Sequence, residues 1–167
     1  FIYCRKSEED EDRQVLSLEA QVRELKDYAE KCNLHIIDTL IESKSASKPG
    51  REVFNEMMTK IETGEANSVL VWQINRIARN SKDGGDFVWF MDEGKIKQVD
   101  TPHKQYKNNG DDKFFMALEF GMAKKFSDDL SDNVRRGIRQ KYERGEYPNY
   151  APIGYTNTKV NGVTNIS

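Results

Sequence analysis

Strand-like and helix-like patterns take turns along the first part of this chain, and no other property narrows its fold as far. Phe1–Arg5 (Phe-Ile-Tyr-Cys-Arg) reads as a short buried strand, followed by a helical period from Leu18 to about Cys32 capped by Ser17. Leu34–Ile41 reads as a second strand, Arg51–Thr63 as a second helix and Ser68–Trp72 as a third strand. A helix over 82–93 and a short strand at Ile96–Val99 complete the series, and residues 101–110 read as a polar loop. Gly84-Gly85 costs the third helix about 1–2 kcal/mol of propensity. Strands joined through helices run parallel, so the expected fold is α/β, with a mostly parallel central sheet and flanking helices.

From Asp111 to Arg144 there is no proline, and only Gly121 and Gly137 interrupt the pattern. At 1.5 Å per residue this permits a helix of roughly 50 Å, longer than a core of this size can cover. A long, protruding C-terminal helix is therefore expected. Its apolar positions Leu118, Met122, Phe126, Leu130, Val134, Ile138 and Tyr142 recur at every fourth residue. Such a stripe drifts about 40° per step and winds around the helix. The early turns can pack on their own domain, whereas a partner subunit must cover the later ones. Arg135, Arg136, Arg139, Lys141 and Arg144 crowd the distal end against Glu143 alone, which suits a polyanion. Pro148 and Pro152 end the helical pattern. The expected organisation is an α/β core over 1–110, a helix over 111–145 that meets a partner subunit and a polyanion, and a linker or truncated next domain over 146–167.

The formal net charge of −2 does not advertise nucleic-acid binding, but the charge is segregated along the chain. Residues 8–12 are uniformly acidic and read as a solvated, mobile loop. Cys4 and Cys32 form no Cys-x-x-Cys pair, which argues against a disulfide framework or a zinc site and favours the cytoplasm. No apolar run approaches a membrane span, and no signal-peptide pattern opens the chain. A start at Phe1 instead of Met suggests a piece of a longer protein.

Ligand sites in open α/β sheets form beyond the carboxyl ends of the strands. Ser7 follows the first strand, Arg51 follows the second, and Gln73-Ile74-Asn75-Arg76-Ile77-Ala78-Arg79 follows the third. Arg5 and Ser7 share one face of their strand, about 7 Å of backbone apart. Four arginines and a hydroxyl thus converge from three loops. A phosphodiester attacked by a hydroxyl gains negative charge in the transition state, and planar guanidiniums match its oxygens two at a time. Other chemistries fit less well. His35 and His103 lack a matching nucleophile or carboxylate and read as structural, and there is no glycine-rich phosphate loop. A two-metal site would need carboxylates at strand ends, where Asn67 and Asn75 stand.

Taken in order, Tyr3-x-Arg5-x-Ser7, Ser17-Leu18-Glu19-Ala20-Gln21, Arg51 with Lys60, Arg76-Ile77-Ala78-Arg79 and the long helix resemble the catalytic domain of serine recombinases over residues 1 to about 145. Each motif is weak alone; their order and spacing make the set specific. Ala151-Pro152-Ile153-Gly154-Tyr155 is similar to the entry to the next domain in the large branch of that family, the phage-type integrases and conjugative-transposon recombinases. The resemblance implies a resolvase-like fold and site-specific recombination of double-stranded DNA at attachment sites. Strands would be broken through 5′-phosphoserine links and rejoined after subunit exchange in a tetramer built from homodimers. It implies Ser7 as nucleophile, Arg5, Arg51, Arg76 and Arg79 on the scissile phosphate, and Gln21 and Lys60 completing the site. Leu118, Met122, Phe126 and Leu130 would then form the oligomer interface, and the basic helix end would lie along DNA. No metal or other cofactor is implied, because transesterification keeps the phosphodiester energy in the protein link.

Two positions depart from the family pattern: Asn75 replaces the usual Asp before the Arg-x-x-Arg pair, and Asn67 aligns with another frequent Asp. An amide cannot serve as a general acid or base. Two rival readings therefore stand, a catalytically idle DNA-binding or oligomerisation module of this fold and a metal-independent phosphoesterase or nuclease.

Overall fold

The computed structural model describes residues 1–5, 18–43, 46, 49–149, 151–160 and 163–166. Ser7, the acidic run 8–12 and the expected cap Ser17 lie outside them. Two compact units divide the chain, Phe1–Lys125 and Phe126–Ser167.

Within the first unit, near-continuous apolar runs on the short central strands build a sheet covered on both faces. Its strands are β1 (Ile2–Arg5), β2 (Thr39–Glu42), β3 (Ser68–Val71), β4 (Gln98–Asp100) and β5 (Gln105–Lys107), in the order β2-β1-β3-β4-β5. The first four run parallel, and β5 closes the edge antiparallel to β4. Ile2 lies opposite both Thr39 and Leu70, which brings the carboxyl ends of β1 and β2 level, with Arg5 opposite Glu42.

Period-two alternation sends the two sets of side chains to different helices. Ile2, Cys4 and Leu70 pack on Leu25 and Ala29 of α1 (Leu18–Lys31). Tyr3, Val69, Val71 and Val99 pack on the other side, against α2 (Glu52–Glu62), α3 (Ser81–Asp92) and the first turns of α4 (Gly110–Glu143). Fully burying one of these large apolar side chains contributes about 1.5–3 kcal/mol. Gly84 explains its own propensity cost. A Cβ there would sit 3.2 Å from the Phe120 ring, so the glycine lets α3 approach α4 closely.

Three local expectations change. The polar loop 101–110 contains β5, whose Tyr106 is buried and donates its hydroxyl hydrogen to Glu119 of α4. Residues 34–38 are extended without a ladder, and β2 begins only at Thr39, whose N–H is taken by Asp38 Oδ1 at 2.7 Å. Ile96 is buried but precedes β4.

The start of α4 is fixed by a reciprocal capping box. Asp112 donates its N–H to Asn109 Oδ1 at 2.8 Å, while its own Oδ2 accepts from Asn109 Nδ2 and from the Lys107 N–H. These bonds, the backbone N–H of Lys107 foremost, hold the Asp112 carboxyl below the usual carboxylate range. Met116 and Phe120 are the buried residues of α4. The second unit holds the remainder of this helix and an antiparallel hairpin of β6 (Asn157–Val160) and β7 (Val163–Ile166).

Candidate active site

Arginines collect at the carboxyl ends of the parallel strands, and burial is their common property. Arg5, Arg51 and Arg76 are 0%, 1% and 3% exposed, and Arg79 is half-buried. Three guanidiniums are almost never withdrawn from water unless the fold supplies acceptors.

Arg5 ends β1 and donates from Nε to the Arg76 carbonyl at 3.3 Å. This joins the first strand to the 3-10 turn Ile74–Arg76 that follows β3. Arg76 also faces Cys4: burial pushes that thiol up to about 11, and the Arg76 charge opposes the shift. The Arg79 N–H donates to the Ala46 carbonyl at 3.0 Å, tying the turn to the segment after β2. Gln21 is buried in the first turn of α1. Because α1 returns the chain toward the amino end of β2, that first turn lies toward the carboxyl end of the sheet.

Arg51, just before α2, is held through both of its terminal nitrogens. Its Nη1 donates to the Tyr3 hydroxyl at 3.0 Å, and its Nη2 donates to the Ile77 carbonyl at 2.6 Å and to Asp83 Oδ2 at 2.8 Å. The guanidinium also stacks over Phe54, 4.1 Å from the ring centroid. Asp83 in turn accepts from Asn80 Nδ2 at 2.9 Å and donates its N–H to Asn80 Oδ1, which caps α3. Burial pushes the Tyr3 phenol well up; Arg51 opposes that shift and the Glu42 charge adds to it.

Lys60 does not join this cluster. α2 carries it to the opposite end of the sheet, where it pairs with Glu56 at 2.7 Å and with Asp38, the residue before β2, at 3.2 Å. Those two hydrogen bonds, Glu56 first, hold its ammonium above the usual lysine value. Asn67 likewise sits before β3, at the amino end. Asn75 lies within the 3-10 turn, and its buried Oδ1 has no hydrogen-bond partner among the described residues.

Carboxylates do stand at strand ends, contrary to the sequence expectation. Glu42 ends β2 and Asp100 ends β4, both 2% exposed. Asp100 accepts from Gln98 and Gln105. In the sequence Glu42 reads as the first residue of the loop after a strand ending at Ile41, whereas β2 extends to include it. Asp83 had a signal that was missed, since Asn80-x-x-Asp83 is a capping-box spacing. Among the described residues, no group of three or more His, Cys, Asp and Glu side chains is arranged to hold a metal ion.

On α4, Leu118, Met122 and Phe126 are 48%, 63% and 53% exposed, and Leu130 is half-buried. Arg135, Arg136, Arg139, Lys141 and Arg144 are all exposed. Local pairs engage three of them: Arg135 with Asp132, Arg136 with Asn133 and Arg139 with Glu143.

A resolvase-like α/β sheet with buried arginines at its carboxyl end, followed in the chain by a 34-residue helix, is the fold of the catalytic-domain class of serine recombinases. The family pattern described as "Resolvase, N terminal domain" matches residues 1–147, and the chain belongs to that family. Solved structures share the fold. The N-terminal catalytic domain of TP901-1 integrase superposes with a TM-score of 0.56 at 20% identity, over 78% of this chain and 96% of that one. A resolvase family site-specific recombinase from Streptococcus pneumoniae gives 0.53 at 23% identity, over 85% and 96%. The C-terminal catalytic domain of ISC1926 TnpA, an IS607-like serine recombinase, gives 0.50 at 20%, over 60% and 65%. No curated protein sequence matches the chain.

Proposed function

We propose that this chain is the catalytic domain of a site-specific recombinase that cuts and rejoins double-stranded DNA for phage or mobile-element integration and excision. The observation that carries the reading is that Arg5, at the end of the strand that leads to Ser7, is bonded to the Arg76 carbonyl in the turn after β3, with both arginines buried. In this mechanism the Ser7 Oγ–P bond forms as the P–O3′ bond breaks, leaving a 5′-phosphoserine and a protonated 3′ hydroxyl. The reverse attack by a 3′ hydroxyl of the exchanged strand restores the phosphodiester and frees Ser7. Arg5, Arg76 and Arg79 stabilise the charge that develops on the phosphoryl oxygens. Gln21 borders the site from α1, whereas Lys60, held at the far end of the sheet, is left out of it.

Exposed Leu118, Met122 and Phe126, with Leu130, supply the contact through which homodimers and a tetramer assemble. Arg135, Arg136, Arg139, Lys141 and Arg144 hold the DNA backbone without reading sequence. Residues 146–167 lead toward a DNA-recognition domain, and the protein works in the cytoplasm without a cofactor. Among the described residues no helix is long and apolar enough to cross a membrane.

The test uses a nicked duplex carrying a site selected from a randomised pool, incubated with the protein in chelator. A covalent protein–DNA adduct is expected. Its absence while binding persists would favour the idle module, for which Asn75 is the specific support. Cleavage without an adduct would favour a nuclease.

A further inference from the structure

Arg51 has little freedom to leave its place. Both Nη groups are committed to acceptors inside the fold, on β1, on the turn after β3 and on α3. Its charge is already matched by Asp83, with side chains 1% and 3% exposed. Nε is buried too, with no acceptor among the described residues, and because the whole side chain is only 1% exposed a phosphate could reach the group only by opening the network. Asn80 extends the same network to Ala46, whose carbonyl accepts from Asn80 Nδ2 and from the Arg79 N–H, each at 3.0 Å. Every one of these bonds ends on the segment 77–83 or on an element that frames it.

We propose that Asp83 is a positioning residue of the recombinase site, and that Arg51, the cation it neutralises, braces the Arg76–Arg79 turn instead of gripping the scissile phosphate. The proposal rests on the recombinase reading above. Bidentate arginine forks suit this use, since one planar group can hold a phenol, a carbonyl and a carboxylate at fixed angles. Asp83 carries no substrate contact; it acts by keeping Arg51 and Asn80 in place.

Asp83→Asn, Arg51→Gln and the double variant separate the two roles by opposite signs. Single-turnover cleavage of the nicked duplex is measured at saturating DNA, per folded molecule, at a temperature where circular dichroism shows native structure. If Arg51 braces, Asp83→Asn strands a buried cation and slows cleavage at least tenfold. Arg51→Gln strands the carboxylate with similar effect, and the neutral double variant cuts at least tenfold faster than Arg51→Gln alone. If Arg51 grips phosphate, Asp83→Asn frees it and cleavage holds or rises, while Arg51→Gln stays inactive with or without the second change; that result overturns the proposal. Unchanged rates in all three would leave the pair a folding role only, and would overturn it equally.

Hydrogen exchange read without DNA keeps the brace testable should the native protein form no adduct, a failure that would count against the recombinase reading instead. In Asp83→Asn the Arg79 amide should exchange at least tenfold faster while the amides of β1 hold their protection. Unaltered exchange at Arg79 would contradict the brace.

Discussion

The two ends of the parallel sheet handle positive charge in opposite ways. At the carboxyl end Arg5, Arg51 and Arg76 are withdrawn from water, with Arg5 bonded to a carbonyl and Arg51 to a carbonyl, a phenol and a carboxylate. At the amino end Lys60 is partly exposed, 25% of its side chain, and pairs with exposed Glu56 and Asp38. Surface pairs of the second kind stabilise proteins little, whereas a buried ion pair that loses one partner leaves an expensive charge behind. A fold that keeps guanidiniums in the costly place at one end only has built something there besides stability. The comparison supports the site proposed above, and two cations of the sequence pattern, Arg51 and Lys60, part company because they sit at opposite ends of α2.

The largest effect expected from breaking this asymmetry is on cleavage. Replacing Arg76 or Arg5 by Ala should slow single-turnover cleavage about 10²–10³-fold, the usual loss when one preorganised donor to a developing oxyanion is removed. Lysine at either position should rescue little, since it keeps the charge but not the fork. Lys60→Ala, by contrast, should leave the adduct yield unchanged; a loss matching that of Arg76→Ala would erase the distinction between the two ends.

Stability should follow the same division. Urea unfolding of Arg51→Ala is expected to show a loss of about 3–5 kcal/mol, the cost of stranding the Asp83 carboxylate. Next in size, Asn75→Asp should change cleavage by less than tenfold, under about 1.4 kcal/mol in the barrier. Asn75 is held by the turn that Arg5 and Ile77 secure, so a gain above tenfold would show that an acid at that position does the work assigned to the arginines.

The smallest expected effect concerns the cysteines. With its thiol pushed up to about 11, Cys4 carries roughly one part in 10³ thiolate at pH 8 and is buried under α1. Iodoacetamide should therefore modify exposed Cys32 and spare Cys4 in the native protein. Equal modification of both would mean that the packing behind Arg76 is looser than described.

Much of this arrangement was legible in the sequence because strand ends and helix starts carry local signals. Arg5, Arg76 and Arg79 follow from strand ends read within a residue or so, and the proline-free run after residue 110 announces its helix. What escaped depends on pairing across the sheet. β5 is invisible in Gln-Tyr-Lys until β4 offers it an edge, and Tyr106 is fixed by Glu119, which lies on another element. Arg51 and Lys60 read alike as motif residues; only the length and direction of α2 assign one to the carboxyl end and the other to the amino end. Asp83 looks like a plain first-turn carboxylate until Arg51 is placed against it.

The measurement that bears most directly on the central claim is peptide mapping of the covalent adduct. The trapped protein–DNA complex is digested with protease and nuclease, and the modified residue is located by mass spectrometry, with Ser7→Ala run in parallel. A 5′-phosphoryl group on Ser7, and no adduct but undiminished DNA binding in Ser7→Ala, is the predicted result. An adduct on any other residue, or its persistence in Ser7→Ala, would contradict the assignment of strand cleavage to the arginine-lined carboxyl end of the sheet.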